Sequence, residues 1–240
     1  MDLYDHYLRL YLQCFQIRFW KPLSIHHGLL SVPDKCFADH REKYHLQMLN
    51  VSYLYPPLSE ILALDLLNKT ESYPYNLGEG KLAGAEENDI YYYKGLCYRE
   101  LGKESEALSC FHKATVGSSE PAQAFFYNDQ QPDKIFYQGL AWRALGDEKK
   151  ARSRFNKLIK HGEKHLFDNC KIDYFAVSLP DLAIWEEDLN KRNLLHCNYV
   201  MGLGHLGLGN LVKARSFLEE VRKLDVNHQG GQIHLNMCNK

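Results

Sequence analysis

The sequence predicts an all-α fold of stacked helical hairpins. A block first seen at residues 91–114 recurs along the chain, its apolar residues fall at helical spacing, and each copy is divided by a Leu-Gly pair. A helix, a break and a second helix in every copy describe a hairpin that buries its apolar face only by stacking on its neighbours.

The two best copies align without gaps. Residues 91–114 read YYYKGLCYRELGKESEALSCFHKA and residues 135–158 read IFYQGLAWRALGDEKKARSRFNKL. They share Tyr93/Tyr137, Gly95/Gly139, Leu96/Leu140, Arg99/Arg143, Leu101/Leu145, Gly102/Gly146, Glu104/Glu148, Ala107/Ala151, Phe111/Phe155 and Lys113/Lys157. A looser third copy runs from Tyr199 to Leu224, with Gly202, Leu208, Gly209, Ala214 and Leu218 at the matching places.

Each element has a physical reason. The first helix of a copy carries Tyr92, Leu96, Tyr98 and Leu101 at helical period. Its central glycine (Gly95, Gly139, Gly202) costs about 1 kcal/mol against alanine. That cost predicts a close helix approach that leaves no room for a side chain. The Leu-Gly pair ends the helix, since glycine takes the left-handed cap conformation. In the second helix Ala107, Ala151 or Ala214 permits tight packing, and Phe111, Phe155 or Leu218 fills the space between the helices.

This pattern resembles the tetratricopeptide repeat. The family's Gly, aromatic, Leu-Gly, Ala, Phe and Ala positions fall on Gly95, Tyr98, Leu101-Gly102, Ala107, Phe111 and Ala114. In the second copy they fall on Gly139, Trp142, Leu145-Gly146, Ala151 and Phe155, with Leu158 in place of the last alanine. In the third, His205 replaces the aromatic and Leu218 the phenylalanine. The proline expected after the second helix is absent at Ser119 and Val226. The resemblance implies a right-handed α-α superhelix, a solenoid of such hairpins. Gly95 to Gly139 is 44 residues and Gly139 to Gly202 is 63, so inserts lie between the repeats. The expected repeats cover about 88–120, 132–162 and 194–226, with an insert at 163–193 and a capping helix at 230–239.

A second likeness covers about residues 60–237. The phrases PYNLGEGKLAGAEENDIYYYKGLCY, GEKHLFDNCKIDYFAVSLPDLAIWEEDLNKRN and NYVMGLGHLGLGN look like the C-terminal tail of large bacterial proteins that carry domain of unknown function 5107 ahead of tetratricopeptide repeats. The upstream, carbohydrate-enzyme-like part of those proteins has no counterpart here, so the likeness implies a repeat tail and carries over no catalytic residue. Toward the N-terminus, residues 57–71 read as one helix of a partial repeat within 38–87, with 38–54 as its partner. Residues 1–37 remain unassigned, with an aromatic-rich helix expected over 3–20.

Composition narrows the function classes. The charge balance of 29 basic and 30 acidic residues gives a net charge of -1, which argues against a nucleic-acid binder. No run of eighteen apolar residues occurs, so no membrane span is expected. Seven scattered cysteines without a C-x-x-C pair argue for a reducing, cytoplasmic setting and against a disulfide or zinc framework. Neither a phosphate loop nor a dinucleotide fingerprint is present, and no cofactor is expected. The glycines of Gly202-Leu203-Gly204-His205-Leu206-Gly207 sit on a repeat helix with no strand before them.

Several constellations have two readings. His161 and His165 lie four apart with Glu163 between, which could hold a metal, but the order is not that of a metalloprotease and an exposed helix end is the simpler reading. Asp168, Asp173, Asp181, Glu186, Glu187 and Asp188 gather in the second insert, where a capped turn is favoured over paired catalytic carboxylates. Cys170 and Cys197 read as small core residues.

The family resemblance implies an inner, concave face lined by the first helix of each repeat. Its positions here are Asp89, Tyr92, Leu96, Arg99 and Glu100, then Asp133, Phe136, Leu140, Arg143 and Ala144, then His196, Tyr199, Leu203, Leu206 and Gly207. Tyr92, Phe136 and Tyr199 would form an aromatic stripe, and Arg99 and Arg143 would offer guanidinium forks to an acidic segment or a C-terminal carboxylate. Alternatively, the aromatics pack on the inserts and the arginines pair with Glu100 or solvent. The expected function is a non-catalytic module that binds a protein or peptide. An accessory domain of a larger carbohydrate-active enzyme and a self-associating module are the other readings.

Overall fold

The computed structural model describes residues 56–71, 86–124, 130–170 and 188–239. Every regular element among them is an α-helix: α1 Pro56–Lys69, α2 Asn88–Glu100, α3 Glu104–Ala114, α4 Pro132–Ala144, α5 Glu148–His165, α6 Leu189–Gly207, α7 Leu211–Leu224 and α8 Gln229–Met237. The fold is therefore all-α and solenoid-like in its repeats. The helices expected over 3–20 and 38–54, and most of the insert 163–193, lie outside the described residues.

The chain divides into two compact units. The first holds α1 and residues 89–114. Leu64 and Leu67 of α1 are buried, and Glu71 just beyond it accepts from the Lys94 ammonium of α2 at 2.5 Å. In the α2–α3 hairpin the central glycine does what its cost predicts. A side chain at Gly95 would meet the Phe111 ring at 2.5 Å. Cys97 lies in the same core, where burial pushes its thiol up to about 12.

Of the described residues, the second unit holds 86–88, 115–124, 130–170 and 188–239. Here α4 pairs with α5, α5 with α6, α6 with α7, and α8 packs on α7 and α6. Ala151, Phe155, Ala214 and Leu218 are fully buried between their helices. A side chain at Gly139 would overlap Phe155, and one at Gly202 would meet Leu218 at 2.8 Å. The glycine run of α6 has a structural use as well. Gly204 lies against the Phe155 carbonyl oxygen, 2.7 Å from where its Cβ would stand, and Gly207 lies against the Phe155 ring. On the other side of this junction Gly162 approaches the Cys197 carbonyl. Glycine on both helices lets α5 and α6 touch backbone to side chain along their length.

All three Leu-Gly breaks close the same way. Gly102, Gly146 and Gly209 have φ of 71°, 85° and 80°. The amide three residues past each helix end reaches back five residues: Lys103 to the Tyr98 carbonyl, Asp147 to Trp142 and Asn210 to His205, each at 2.9 Å. This double-bonded cap satisfies carbonyls that the helix end would otherwise leave open. The next helix starts immediately after. At α5 the Asp147 carboxylate accepts from the Lys150 amide at 2.9 Å, and at α6 Asp188 caps Asn190 and Lys191 at 3.0 Å each.

Candidate functional site

The first helices of the hairpins carry every residue predicted to face a partner. In the first unit Asp89 is buried, whereas Tyr92, Leu96 and Arg99 are partly exposed. In the second unit Asp133 and Leu140 are partly exposed and Arg143 is exposed, while Phe136, His196, Tyr199 and Leu203 are buried.

The two arginines share one geometry. Arg143 sits over the Phe155 ring at 5.1 Å and bonds Glu148 with both Nε and Nη2 at 2.9 Å. Arg99 sits over the Phe111 ring at 4.5 Å with Glu104 at 3.7 Å. Each arginine thus bridges the Leu-Gly break of its hairpin, resting on the phenylalanine that fills the core. The Arg143 fork also holds the Glu148 carboxyl below its ordinary value. Such exposed pairs are screened by solvent and contribute little to stability. Glu104/Glu148 is conspicuous among the shared residues, yet a five-residue spacing across a helix break carries no standard pairing signal. In the third copy Leu206, Leu211 and Leu218 stand at the three matching positions.

The aromatic positions of α4 and α6 converge on α8. The buried His234 ring meets Phe136 edge-on at 5.3 Å and lies 5.8 Å from Tyr199, whose hydroxyl is 3.2 Å from His234 Nδ1. His228 packs on Tyr199 at 4.7 Å, and its Nδ1 caps α8 by accepting from Gly231 at 2.8 Å. Burial lowers the His228 pKa. The sequence QGGQIHLNM of α8 gives no hint of this role, because one histidine makes the contact across distant sequence.

A feature that sequence reading missed is the path of residues 115–124. This irregular segment crosses the second unit, and side chains meet its carbonyls. Asn88 donates to Val116 at 2.7 Å, and Gln138 to Val116 and Ser118 at 3.0 Å each. Gln130 also donates to Ser118, at 2.8 Å. Further on, His196 Nε2 donates to Ala122 at 2.8 Å and Arg192 to Ala124 at 3.2 Å. Arg154 holds the Gln138 carbonyl at 3.1 Å, which fixes the amide orientation. Burial brings the His196 pKa down to about 4, so its ring is neutral at pH 7.

The remaining candidates find structural places. His161 and His165 stack at 4.6 Å on α5, which continues past Gly162, and His165 pairs with Asp168 at 2.6 Å. No group of three or more ligating side chains that could hold a metal occurs among the described residues. Asp188 is a helix cap, and Asp173, Asp181, Glu186 and Glu187 lie outside the described residues. Cys197 is fully buried with its thiol pushed up to about 12, whereas Cys170 is only partly buried. His205 keeps the aromatic role of its position by stacking flat on Phe217 at 5.5 Å. No described helix is long and apolar enough to cross a membrane.

Comparison with known proteins agrees with the hairpin geometry. No solved structure matches the chain. A family model for the tetratricopeptide repeat matches residues 89–115 and 135–161. Those spans coincide with α2–α3 and α4–α5, so these two hairpins match the tetratricopeptide repeat model.

Proposed function

We propose that the chain is a non-catalytic interaction module that binds a protein or peptide through the accessible residues of its repeats. Tetratricopeptide repeats generally mediate protein–protein contacts, and that general role supports the reading. The observation that carries it further is the repeated arginine. Arg99 and Arg143 occupy matching places, are held on aromatic rings, and remain open to solvent with side-chain exposures of 35% and 40%. A fork held this way has lost little freedom still to lose on binding, so a partner carboxylate can compete for it with the glutamate across the turn. Leu140 on α4 and Tyr92 and Leu96 on α2 supply apolar contact beside the arginines. Phe136, Tyr199 and Leu203 are buried and serve as scaffold within the second unit.

The test compares capture of partners from a lysate of the source cell by wild type and by Arg99→Ala/Arg143→Ala, with mass spectrometry of the bound material and melting curves of both proteins. Loss of a partner with a nearly unchanged melting temperature supports the reading. Identical capture by both proteins contradicts the role given to the arginines.

A further inference from the structure

The segment 115–124 behaves as a peptide bound in cis. None of its side chains is buried, and Val116, Gly117, Ser118 and Glu120 are exposed. It therefore adds little to the apolar core. What holds it is a set of side-chain donors directed at main-chain carbonyls, supplemented by Lys157, which bonds Ser119 Oγ at 3.0 Å and pairs with the Glu120 carboxylate. Ala124 sits at φ 52°, a strained conformation for a residue with a side chain.

The receiving groups are built differently. Gln138 is 0% exposed, Asn88 1% and His196 7%. They project from helices, and Arg154 fixes the Gln138 amide. Glutamine at position 138 stands within a helix whose neighbours Phe136, Tyr137 and Gly139 are all buried. A buried amide at such a place costs free energy unless its bonds are made. Donors that address carbonyls read backbone rather than sequence, and Lys157 adds one requirement, for a carboxylate.

We propose that Asn88, Gln138, Lys157, Arg192 and His196 form an exchangeable site for a non-helical acidic peptide, which the chain's own segment 115–124 occupies until a partner segment displaces it. The inference deepens the interaction reading above and rests on it. The partner peptide presents three or four carbonyls in irregular conformation and an acidic side chain for Lys157. The covalent tether gives the internal segment a high effective concentration, so an external peptide competes poorly until the segment is loosened.

The probe is a fluorescent synthetic peptide with the sequence of residues 115–124, titrated to millimolar concentration into three full-length proteins. One is wild type, one carries a flexible Gly/Ser stretch of about fifteen residues in place of residues 116–124, which removes Glu120 and Pro121 and lowers the effective concentration of the internal segment, and one carries Glu120→Lys. The Gly/Ser protein is expected to bind at least about tenfold more tightly than wild type. Adding Gln138→Leu to it should abolish binding. Should the Gly/Ser protein fail to fold, Glu120→Lys decides the matter, since it changes only an exposed side chain. It should bind the peptide about two- to five-fold more tightly than wild type. Absence of saturable binding to a folded Gly/Ser protein, binding indifferent to Gln138→Leu, or equal affinity of Glu120→Lys and wild type overturns the proposal. Any of these would leave the interaction reading standing, because that reading is judged by partner capture with the arginine variants.

Discussion

The hairpins α4–α5 and α6–α7 use one backbone plan and two chemistries. Both place a glycine against the filler of the facing helix and end the first helix on a left-handed glycine. Yet α4–α5 carries Arg143, Glu148 and Phe155 where α6–α7 carries Leu206, Leu211 and Leu218. The arginine, its glutamate and the ring beneath are replaced together. The comparison teaches that these three residues form one device, absent as a whole once the ring is gone, because a guanidinium lying on leucine gains no cation–π attraction. The hairpin that keeps the device presents a charged surface, while the other directs its resources inward, against α5 and α8.

Substitutions can break this comparison, and they rank by size. The largest effect is expected at the fillers. Phe155→Ala should cost about 3–5 kcal/mol and Leu218→Ala about 2–5, read by chemical denaturation. Phe155 should be the costlier, since Gly139, Gly207 and Arg143 all rest on its ring. Equal costs would mean that the ring's extra contacts contribute nothing.

Next comes pH. The unfolded chain protonates His196 near its ordinary 6.5, while the folded chain does so only near 4. Stability is therefore full above about pH 6.5 and falls as pH drops toward 4, by roughly 3 kcal/mol at most from this group. His161, His205 and His228 are lowered by burial too and add in the same direction. Melting temperatures measured down to about pH 4.5 should fall, and His196→Gln, which retains a donor for Ala122, should flatten part of that fall. An unchanged slope would show that His196 titrates as if exposed.

Smaller effects separate the two hairpins more finely. Gly204→Val should cost about 1–3 kcal/mol, because the obstacle is the Phe155 carbonyl rather than a movable side chain. Gly146→Ala and Gly209→Ala should each cost about 1 kcal/mol, since both glycines are left-handed with open space around them. Matching values for this pair would confirm that the backbone plan is shared. The smallest loss is expected for Arg143→Ala, at most about 1 kcal/mol.

How much of this was legible in the sequence depends on which residues are asked. The helix junctions were readable because Gly95, Gly139 and Gly202 are expensive in a helix and recur at a fixed distance from Leu-Gly. Such local costs leave a one-dimensional trace. The burial of Phe136 and Tyr199 left none, since it arises from His228 and His234 some thirty residues beyond Tyr199. The path of residues 115–124 was equally hidden. Carbonyls accept its bonds, and every residue has a carbonyl, so no residue pattern records where the segment goes. Gln138 alone offered a hint, as a polar residue inside an apolar stretch of a repeat helix.

The most direct test of the central claim is hydrogen–deuterium exchange of the chain with and without its captured partner. Added protection in α2 and α4, around Arg99 and Arg143, with α7 unchanged, is the predicted result. Protection confined to α7, with α2 and α4 exchanging as in the free protein, would contradict it.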